Sequence, residues 1–251
     1  YDTFVAHKLS FIYDLVPDFI KKIFIKSIDM IPTSFSNISL DFKIKKFIQG
    51  YTRNPLYRHF TWLGAFLPSE RNKLFKNNIL NQIKDFNEFE DIDNYTKSFS
   101  ENKGYDIHSF LYQRTYMMDD ILVKVDRASM YNSLEVRTPF LDTDIVDFAN
   151  SLPITLKCKG LQRKYILKKL LEGKLPKEII YRKKKGFGMP IAKWLRTDLK
   201  PLINELLNKD FINEQNIFNY DYIKVLVDDH MNMIRDNRKY IWTLLVFQMW
   251  Y

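Results

Sequence analysis

The chain has 251 residues, of which 46% are hydrophobic and 27% charged, and its formal net charge is +9. This composition is typical of a globular protein and excludes a wholly disordered or fibrous chain. A single cysteine excludes an internal disulfide framework and a multi-cysteine zinc or iron–sulfur site, and no apolar run is long enough to predict a membrane-spanning helix.

Apolar residues recur at helical spacing through the first hundred residues. The chain begins at Tyr1 without the charged-then-apolar pattern of a signal peptide, and we expect it to be a piece of a longer protein. Helices are predicted over about 15–30, 40–51, 55–66 and 69–75, with shorter helices and loops over 77–104.

The longest predicted helix covers about 105–132 and is followed by an extended stretch over 134–140. Asp142 is predicted to cap a helix that ends before Pro153. Beyond it we predict a short strand within 154–159, a basic helix over 162–172, a glycine-containing loop over 180–189, and helices that begin near 191, 202, 220 and 238. The predicted fold class is mainly α.

The positive charge is concentrated in one part of the sequence. Residues 157–200 contain 15 Lys and Arg against three acids, a net charge of +12, so the other 207 residues sum to −3. Such a segment favours a polyanionic ligand such as a phosphate chain, a nucleic acid or an acidic membrane surface, and the alternative is a solvated, lysine-rich face.

Charged residues also cluster on the longest predicted helix. Asp120, Lys124 and Arg127 follow the spacing of one helical face, and Asp119 and Asp126 form an adjacent stripe. They could line a polar cleft or form ordinary ion pairs on a solvated face. In the extended stretch that follows, Glu135 and Arg137 point the same way, and we expect them to pin the junction between helix and loop.

A run of four cations precedes two glycines in the loop near residue 185. Arg182, Lys183, Lys184 and Lys185 repel one another unless solvent or an anion screens them, and Gly186 lets a ligand approach the backbone. The run therefore favours a phosphate ligand, although a nuclear-localisation-like run or a nucleic-acid patch has the same composition.

Taken together, three segments resemble one known family. They read DDILVKVDRASMYNSLEVRTPFLD, RKYILKK and PKEIIYRKKKGFGMP, and in this order they resemble the synthetase domain of glutamine-dependent asparagine synthetases from about residue 116 to 194. Tyr1 resembles the last residue of that family's GGDELFGGY motif. The family's SGGxDS phosphate loop and its N-terminal glutaminase, with a nucleophilic cysteine, would then precede Tyr1, and Cys158 cannot be that nucleophile.

The resemblance implies an ATP- and Mg²⁺-dependent ligase. Such enzymes adenylate the side-chain carboxylate of aspartate, release pyrophosphate, and transfer glutamine-derived ammonia to give asparagine and AMP. The implied partners are these small molecules and the glutaminase domain of the same protein, with a homodimer as a further option, no nucleic acid and no membrane. The implied location is the cytoplasm.

The resemblance also assigns residues. Lys184 matches the lysine that stabilises charge on the phosphates, with Arg182, Lys183, Lys185 and Gly186 as supporting phosphate-binding residues. Asp120 takes the place of the acid beside the attacking amine, and Asp126 is the second candidate. The resemblance gives Lys124, Asp126 and Arg127 a role in positioning substrate, and it assigns no metal ligand.

The implied fold is the helical C-terminal part of an α/β adenine-nucleotide-hydrolase-like (PP-loop ATPase) domain. Residues 1–251 would form one C-terminal portion of it, with the parallel sheet largely missing, so apolar surface should be exposed on the first helices and on the long helix. Two other hypotheses remain: a related enzyme that acts on another carboxylate in peptide or surface-polysaccharide maturation, and a basic helical nucleic-acid-binding module.

Overall fold

The structure, a computed structural model, describes residues 9–10, 13–17, 19–21, 23, 34, 40–51, 54–99, 107–183 and 188–251. It is mainly helical, as predicted, with one two-stranded hairpin in this part of the chain. Contacts divide the chain into a middle unit, Phe89–Lys185, and a flanking unit formed by Asp2–Glu88 with Gly186–Tyr251. None of the helices described is long and apolar enough to cross a membrane.

The α-helices and strands carry the following labels in chain order. Up to the hairpin they are α1 Leu40–Tyr51, α2 Pro55–Leu63, α3 Arg71–Leu74, α4 Asn77–Gln82, α5 Glu90–Ser98, α6 Ile107–Tyr112, α7 Val123–Met130, α8 Thr143–Ser151, α9 Ile154–Lys157, β1 Cys158–Lys159 and β2 Gln162–Arg163. After it they are α10 Tyr165–Leu171, α11 Lys177–Ile180, α12 Ile191–Arg196, α13 Lys200–Leu206, α14 Lys209–Gln215, α15 Tyr220–Met231 and α16 Arg238–Trp250. Short 3₁₀ turns lie at Pro68–Glu70 and Pro139–Leu141.

The flanking unit has a well-formed hydrophobic core. Leu195, Ile212, Ile223 and Ile241, one from each of α12, α14, α15 and α16, are fully buried in it. Burying a side chain of this size contributes roughly 1.5–3 kcal/mol. These C-terminal helices therefore stabilise one another.

Helices α1 and α2 of the same unit pack through a tryptophan. The Trp62 ring stacks on Phe47 with 5.9 Å between centroids, and Trp62 Nε1 donates to the Phe47 carbonyl at 3.3 Å. A Cβ atom at Gly50 would lie 2.1 Å from Trp62 Nε1. Gly50 is therefore required by the close approach of the indole.

Two lysines cap the C-terminal end of α2. Lys46 Nζ donates to the carbonyls of residues 64 and 65 at 3.1 and 3.4 Å, and Lys239 Nζ donates to those of residues 62 and 63 at 3.5 and 3.2 Å. Carbonyls at a helix end lack intrahelical partners, so the ammonium groups satisfy them. Burial and the charge of Lys239 lower the pKa of Lys46 to about 8, and Glu70 opposes this shift.

Glu70 connects this cap to α15 and α16. Its carboxylate accepts hydrogen bonds from the Leu67 backbone N–H at 2.7 Å, the Tyr222 hydroxyl at 3.1 Å and the Tyr240 hydroxyl at 3.2 Å. Burial and then the charge of Glu70 raise the pKa of both tyrosines. The polar cluster thus ties the N-terminal helix pair to the C-terminal pair.

The middle unit buries fewer large side chains. Leu111 is fully buried, and Ile92 and Ile180 are nearly so, but large apolar side chains such as Met130 and Tyr131 are exposed on the long helix and just after it. The sequence predicted exposed apolar surface on the long helix and also on the first helices, where Phe19 is exposed. An apolar surface of this extent is typical of a unit that packs against further protein.

Three sequence predictions need correction. The strand predicted within 154–159 is mostly the helix Ile154–Lys157, and only Cys158–Lys159 is extended, paired antiparallel with Gln162–Arg163. Since the hairpin uses residues 162 and 163, the basic helix begins at Tyr165. The predicted 180–189 loop begins one residue later, because Ile180 ends α11, and the predicted helix over 15–30 lies mostly outside the described residues.

Candidate functional site

The long helix predicted over 105–132 runs from Ile107 to Met130 within the described residues. Its middle, Gln113–Leu122, is a π-helix between α6 and α7. A π-helix adds residues to each turn, is rare beyond a single turn, and is frequent at functional sites. The spacing of an α-helical face therefore does not continue unchanged across position 122.

The charged residues predicted on this helix are all exposed. Asp120 lies in the π-helical segment, and Lys124, Asp126 and Arg127 lie in α7. In the described part of the chain no ion pair joins Asp120 to Lys124, so the ordinary i,i+4 pair weighed above is not formed. The structure leaves these side chains available to solvent or to a ligand.

Tyr116 is a neighbour of Asp120 that sequence reasoning missed. Burial raises the pKa of Tyr116, and the Asp120 carboxylate raises it further through its charge and its hydrogen-bonding interaction with the hydroxyl. The Tyr112 and Tyr116 rings lie 5.0 Å apart. A Tyr four residues before an Asp carries no signal in the sequence, because the contact depends on the helical geometry of this segment.

Two predictions concern the junction after the helix. Arg137 Nε donates to Glu135 Oε1 at 2.8 Å, but both side chains are largely exposed and the pair adds little stability, so the expected pinning of the junction is not supported. The predicted cap is confirmed, because Asp142 Oδ1 accepts from the N–H groups of Asp144 and Ile145 at 3.1 and 3.4 Å.

The basic loop is described only up to residue 183 and again from residue 188. Arg182 and Lys183 are exposed, whereas Lys184, Lys185 and Gly186 lie outside the described residues. The start of the loop is anchored: the Tyr181 hydroxyl donates to Glu172, which also binds Lys169 Nζ at 3.0 Å. These hydrogen bonds, that of Tyr181 first, lower the pKa of Glu172.

Several other cations of the basic segment have structural contacts. Lys168 Nζ lies 5.3 Å from the centre of the Tyr181 ring, and Lys159 Nζ lies 5.2 Å from that of Tyr165. Lys157 Nζ donates to the backbone carbonyl of Asn150 at 3.3 Å. Part of the charge excess therefore stabilises the fold of the middle unit.

The structure does not join all the predicted site residues. Asp120, Lys124, Asp126 and Arg127 lie along one continuous helix, but no hydrogen bond or ion pair connects Arg182 or Lys183 to them in the described ranges. Within the part of the chain that the structure describes, no three His, Cys, Asp or Glu side chains lie close enough together to hold a metal ion. The helix and the start of the basic loop are the two parts of the candidate site that the structure describes.

Comparison with known proteins assigns the chain to a family. Residues 46–251 match the family described as Asparagine synthase. The chain belongs to the asparagine synthase family. The match extends well beyond the 116–194 region that carries the sequence motifs and covers most of the flanking unit as well.

Individual relatives carry synthetase names. The chain is 35% identical over 184 residues to Asparagine synthetase [glutamine-hydrolyzing] 1 of Bacillus subtilis, covering 71% of this chain and 29% of that protein. It is 36% identical over 96 residues to Asparagine synthetase [glutamine-hydrolyzing] 3 of the same organism, covering 35% of this chain and 16% of the relative. The matched region thus spans less than a third of either relative, and no solved structure matches the chain.

One further relative is not named as an asparagine synthetase. Amidase chyE of Penicillium rubens is 30% identical over 127 residues, covering 47% of this chain and 18% of that protein.

Proposed function

We propose that residues 1–251 are the C-terminal portion of the synthetase domain of a glutamine-dependent asparagine synthetase, called the whole synthetase below. This cytoplasmic ligase uses ATP to activate the aspartate side chain and glutamine-derived ammonia to form asparagine, AMP and pyrophosphate. The observation that carries the proposal is the match of residues 46–251 to the asparagine synthase family, and the two Bacillus subtilis relatives are named as glutamine-hydrolysing asparagine synthetases. The nucleotide-binding sheet and the glutaminase domain are assigned to other parts of the whole synthetase.

The basic loop is assigned to the phosphates of ATP. Arg182 and Lys183 are exposed and form no ion pair in the described part of the chain, which suits a polyanionic ligand. We assign Lys184 to charge that develops on the phosphates, with Lys185 and Gly186 beside it. Mg²⁺ is usually held by substrate phosphates and one or two carboxylates, and we assign it no ligand in this chain.

The phosphate assignment is tested with Lys184→Ala in the whole synthetase. Loss of one preorganised charge-stabilising group lowers kcat by about 100- to 1,000-fold, so aspartate-dependent pyrophosphate release should be lost while glutaminase activity remains. Lys193→Ala is the matched control, because Lys193 is an exposed lysine of the same basic segment on α12. Synthesis near the wild-type rate in Lys184→Ala would show that the assignment is wrong.

The acid assignment is tested by comparing two exposed aspartates. We assign Asp120 to the attacking amine, with Lys124, Asp126 and Arg127 positioning it or the substrate. Asp120→Asn should lower the rate of asparagine formation by about 100-fold or more, as expected for an acid–base group. A larger loss in Asp126→Asn than in Asp120→Asn would transfer the role to Asp126.

The chain by itself should not make asparagine, because the proposed phosphate loop and sheet belong to other parts of the protein. Asparagine formed by the 251-residue chain from aspartate, ATP and ammonia would contradict this. The same chain titrated with duplex DNA or RNA should show no salt-dependent binding, whereas a steep loss of affinity with salt would favour the nucleic-acid hypothesis.

A second candidate function keeps the chemistry and changes the acceptor. The similarity to Amidase chyE shows that relatives of this chain are not all named for asparagine synthesis. The whole synthetase would then release pyrophosphate with a carboxylate other than aspartate. Pyrophosphate release measured across a panel of amino-acid and peptide carboxylates distinguishes the two, and a strong preference for aspartate supports the first.

A further inference from the structure

The side chains of Gln113 and Asn150 form a reciprocal amide pair in the middle unit. Gln113 Nε2 donates to Asn150 Oδ1 at 3.0 Å, and Asn150 Nδ2 donates to Gln113 Oε1 at 3.4 Å. Asn150 is only 7% exposed. A buried amide that loses its partner is strongly unfavourable, so each side chain holds the other in place.

The pair lies where three elements meet. Gln113 is the first residue of the π-helical segment, and Asn150 lies in the last turn of α8. The backbone carbonyl of Asn150 also accepts from Lys157 Nζ, at the end of α9. The start of the π-helical segment is therefore fixed by side-chain contacts to α8, whose own start is fixed by Asp142.

The π-helical segment needs such an anchor. π-helices occur mostly as single turns, and this one extends over ten residues, so we expect tertiary contacts to hold it in register. A return to α-helical register would rotate every later side chain about the helix axis, because fewer residues then complete each turn. Asp120 lies seven positions after Gln113 and would change direction.

We infer that Gln113 and Asn150 are positioning residues whose amide pair sets the register of the π-helical segment and thereby the direction of Asp120. The inference rests on the catalytic role proposed above for Asp120. Neither residue belongs to the motifs that identify the family, and the pair acts through the helix rather than on a substrate.

The test uses apolar replacements of similar size in the whole synthetase. Gln113→Leu and Asn150→Leu should each lower kcat for asparagine formation by about 10- to 100-fold, the scale expected when a catalytic group is displaced by about 1 Å. The KM for ATP and the glutaminase rate should remain within about twofold, since neither depends on Asp120 in the proposed mechanism. The exchanged pair, Gln113→Asn with Asn150→Gln, keeps both amides and should restore most of the rate.

The flanking unit provides a matched control. Gln215 and Gln248 form a second reciprocal amide pair at 2.6 and 2.9 Å, and Gln248 is 5% exposed. Gln215→Leu should lower the thermal unfolding midpoint about as much as Gln113→Leu and leave kcat unchanged. If Gln113→Leu fails to fold, Gln113→Glu serves in its place, because it replaces the donor that faces Asn150 Oδ1 with an ionised carboxylate of nearly the same size.

Hydrogen exchange on the 251-residue chain provides a readout besides activity. Amides 113–122 should exchange at least tenfold faster in Gln113→Leu and Asn150→Leu, and at the wild-type rate in Gln215→Leu. Unchanged exchange and kcat in the Gln113 and Asn150 variants would overturn the inference. Wild-type synthesis in Asp120→Asn would overturn the proposed role of Asp120 and the positioning role with it, even if exchange changes.

Discussion

The folded state of the protein disfavours the protonated form of Lys46. This residue of α1 has its ammonium group mostly buried at the C-terminal end of α2, close enough to Lys239 for the two charges to repel. Moving the pKa of its amine from the ordinary 10.5 to about 8 corresponds to about 3 kcal/mol of unfavourable free energy for the protonated form. Because Lys239 is one cause, Lys239→Met should raise the pKa of Lys46.

The sign of the pH dependence follows from the same shift. Between pH 8 and 10.5 the unfolded chain binds a proton at Lys46 that the folded chain does not, so the free energy of unfolding should rise with pH in this range. Tyr222 and Tyr240 act oppositely above about pH 10, because their raised pKa values favour the protonated folded form. Measurements between pH 7.5 and about 9.5 therefore avoid the tyrosines and report the lysines. Burial also lowers the pKa of Lys239, so Lys239 contributes with the same sign as Lys46, and a residue-specific assay is needed to separate the two.

The assay is an NMR titration of lysine ¹³Cε resonances, with Lys46 assigned by Lys46→Arg. Glu70→Gln is the control of opposite sign, since Glu70 raises the pKa of Lys46 and its neutralisation should lower that pKa. A Lys46 midpoint above 10 in the wild-type chain, or no upward change in Lys239→Met, would refute this account of the cluster.

Three further predictions concern stability and are measured by urea unfolding of the 251-residue chain. Gly50→Ala should destabilise it by about 2 kcal/mol, since the added methyl group displaces Trp62 and breaks its hydrogen bond, and Gly50→Ala combined with Trp62→Leu should lose less stability than the sum of the two single losses. Asp142→Ala should cost about 1 kcal/mol and Asp142→Asn much less, because Asn keeps the acceptor at the start of α8, and equal losses would count against the cap. Burial lowers the pKa of His230 below 6.5, so the unfolded chain takes up the proton first and stability should fall from pH 7 to 5.5; a His230→Gln variant with the same slope would contradict this.

Much of the helical pattern was predictable because it depends on local signals. The predicted helix over 40–51 is confirmed as Leu40–Tyr51, and Pro55 begins α2 as expected for a first-turn proline. Asp142 caps α8 because its short carboxylate reaches the free N–H groups of the first turn, a contact within three residues. The prediction of a strand after Pro153 was wrong, because helix and strand are hard to distinguish over so few apolar residues.

The candidate site was predictable only in part. The sequence placed Asp120, Lys124 and Arg127 on one long helix, which is confirmed, but it could not show that Asp120 lies in a π-helical segment. That segment depends on contacts such as Gln113 with Asn150, which are 37 positions apart, and no local pattern indicates them. The role of Lys184 remains a prediction from the family motif.

By itself the sequence determined the family, the helical class and the concentration of positive charge in residues 157–200, because motifs, periodicity and composition are properties of the order of residues. Only the tertiary structure decided what individual charges do. Lys46 and Lys239 are ordinary lysines in the sequence, and their depressed pKa values arise because folding removes them from water, with the charge of Lys239 lowering that of Lys46 further. Burial and distance between remote residues decide such properties, and both exist only once the chain has folded.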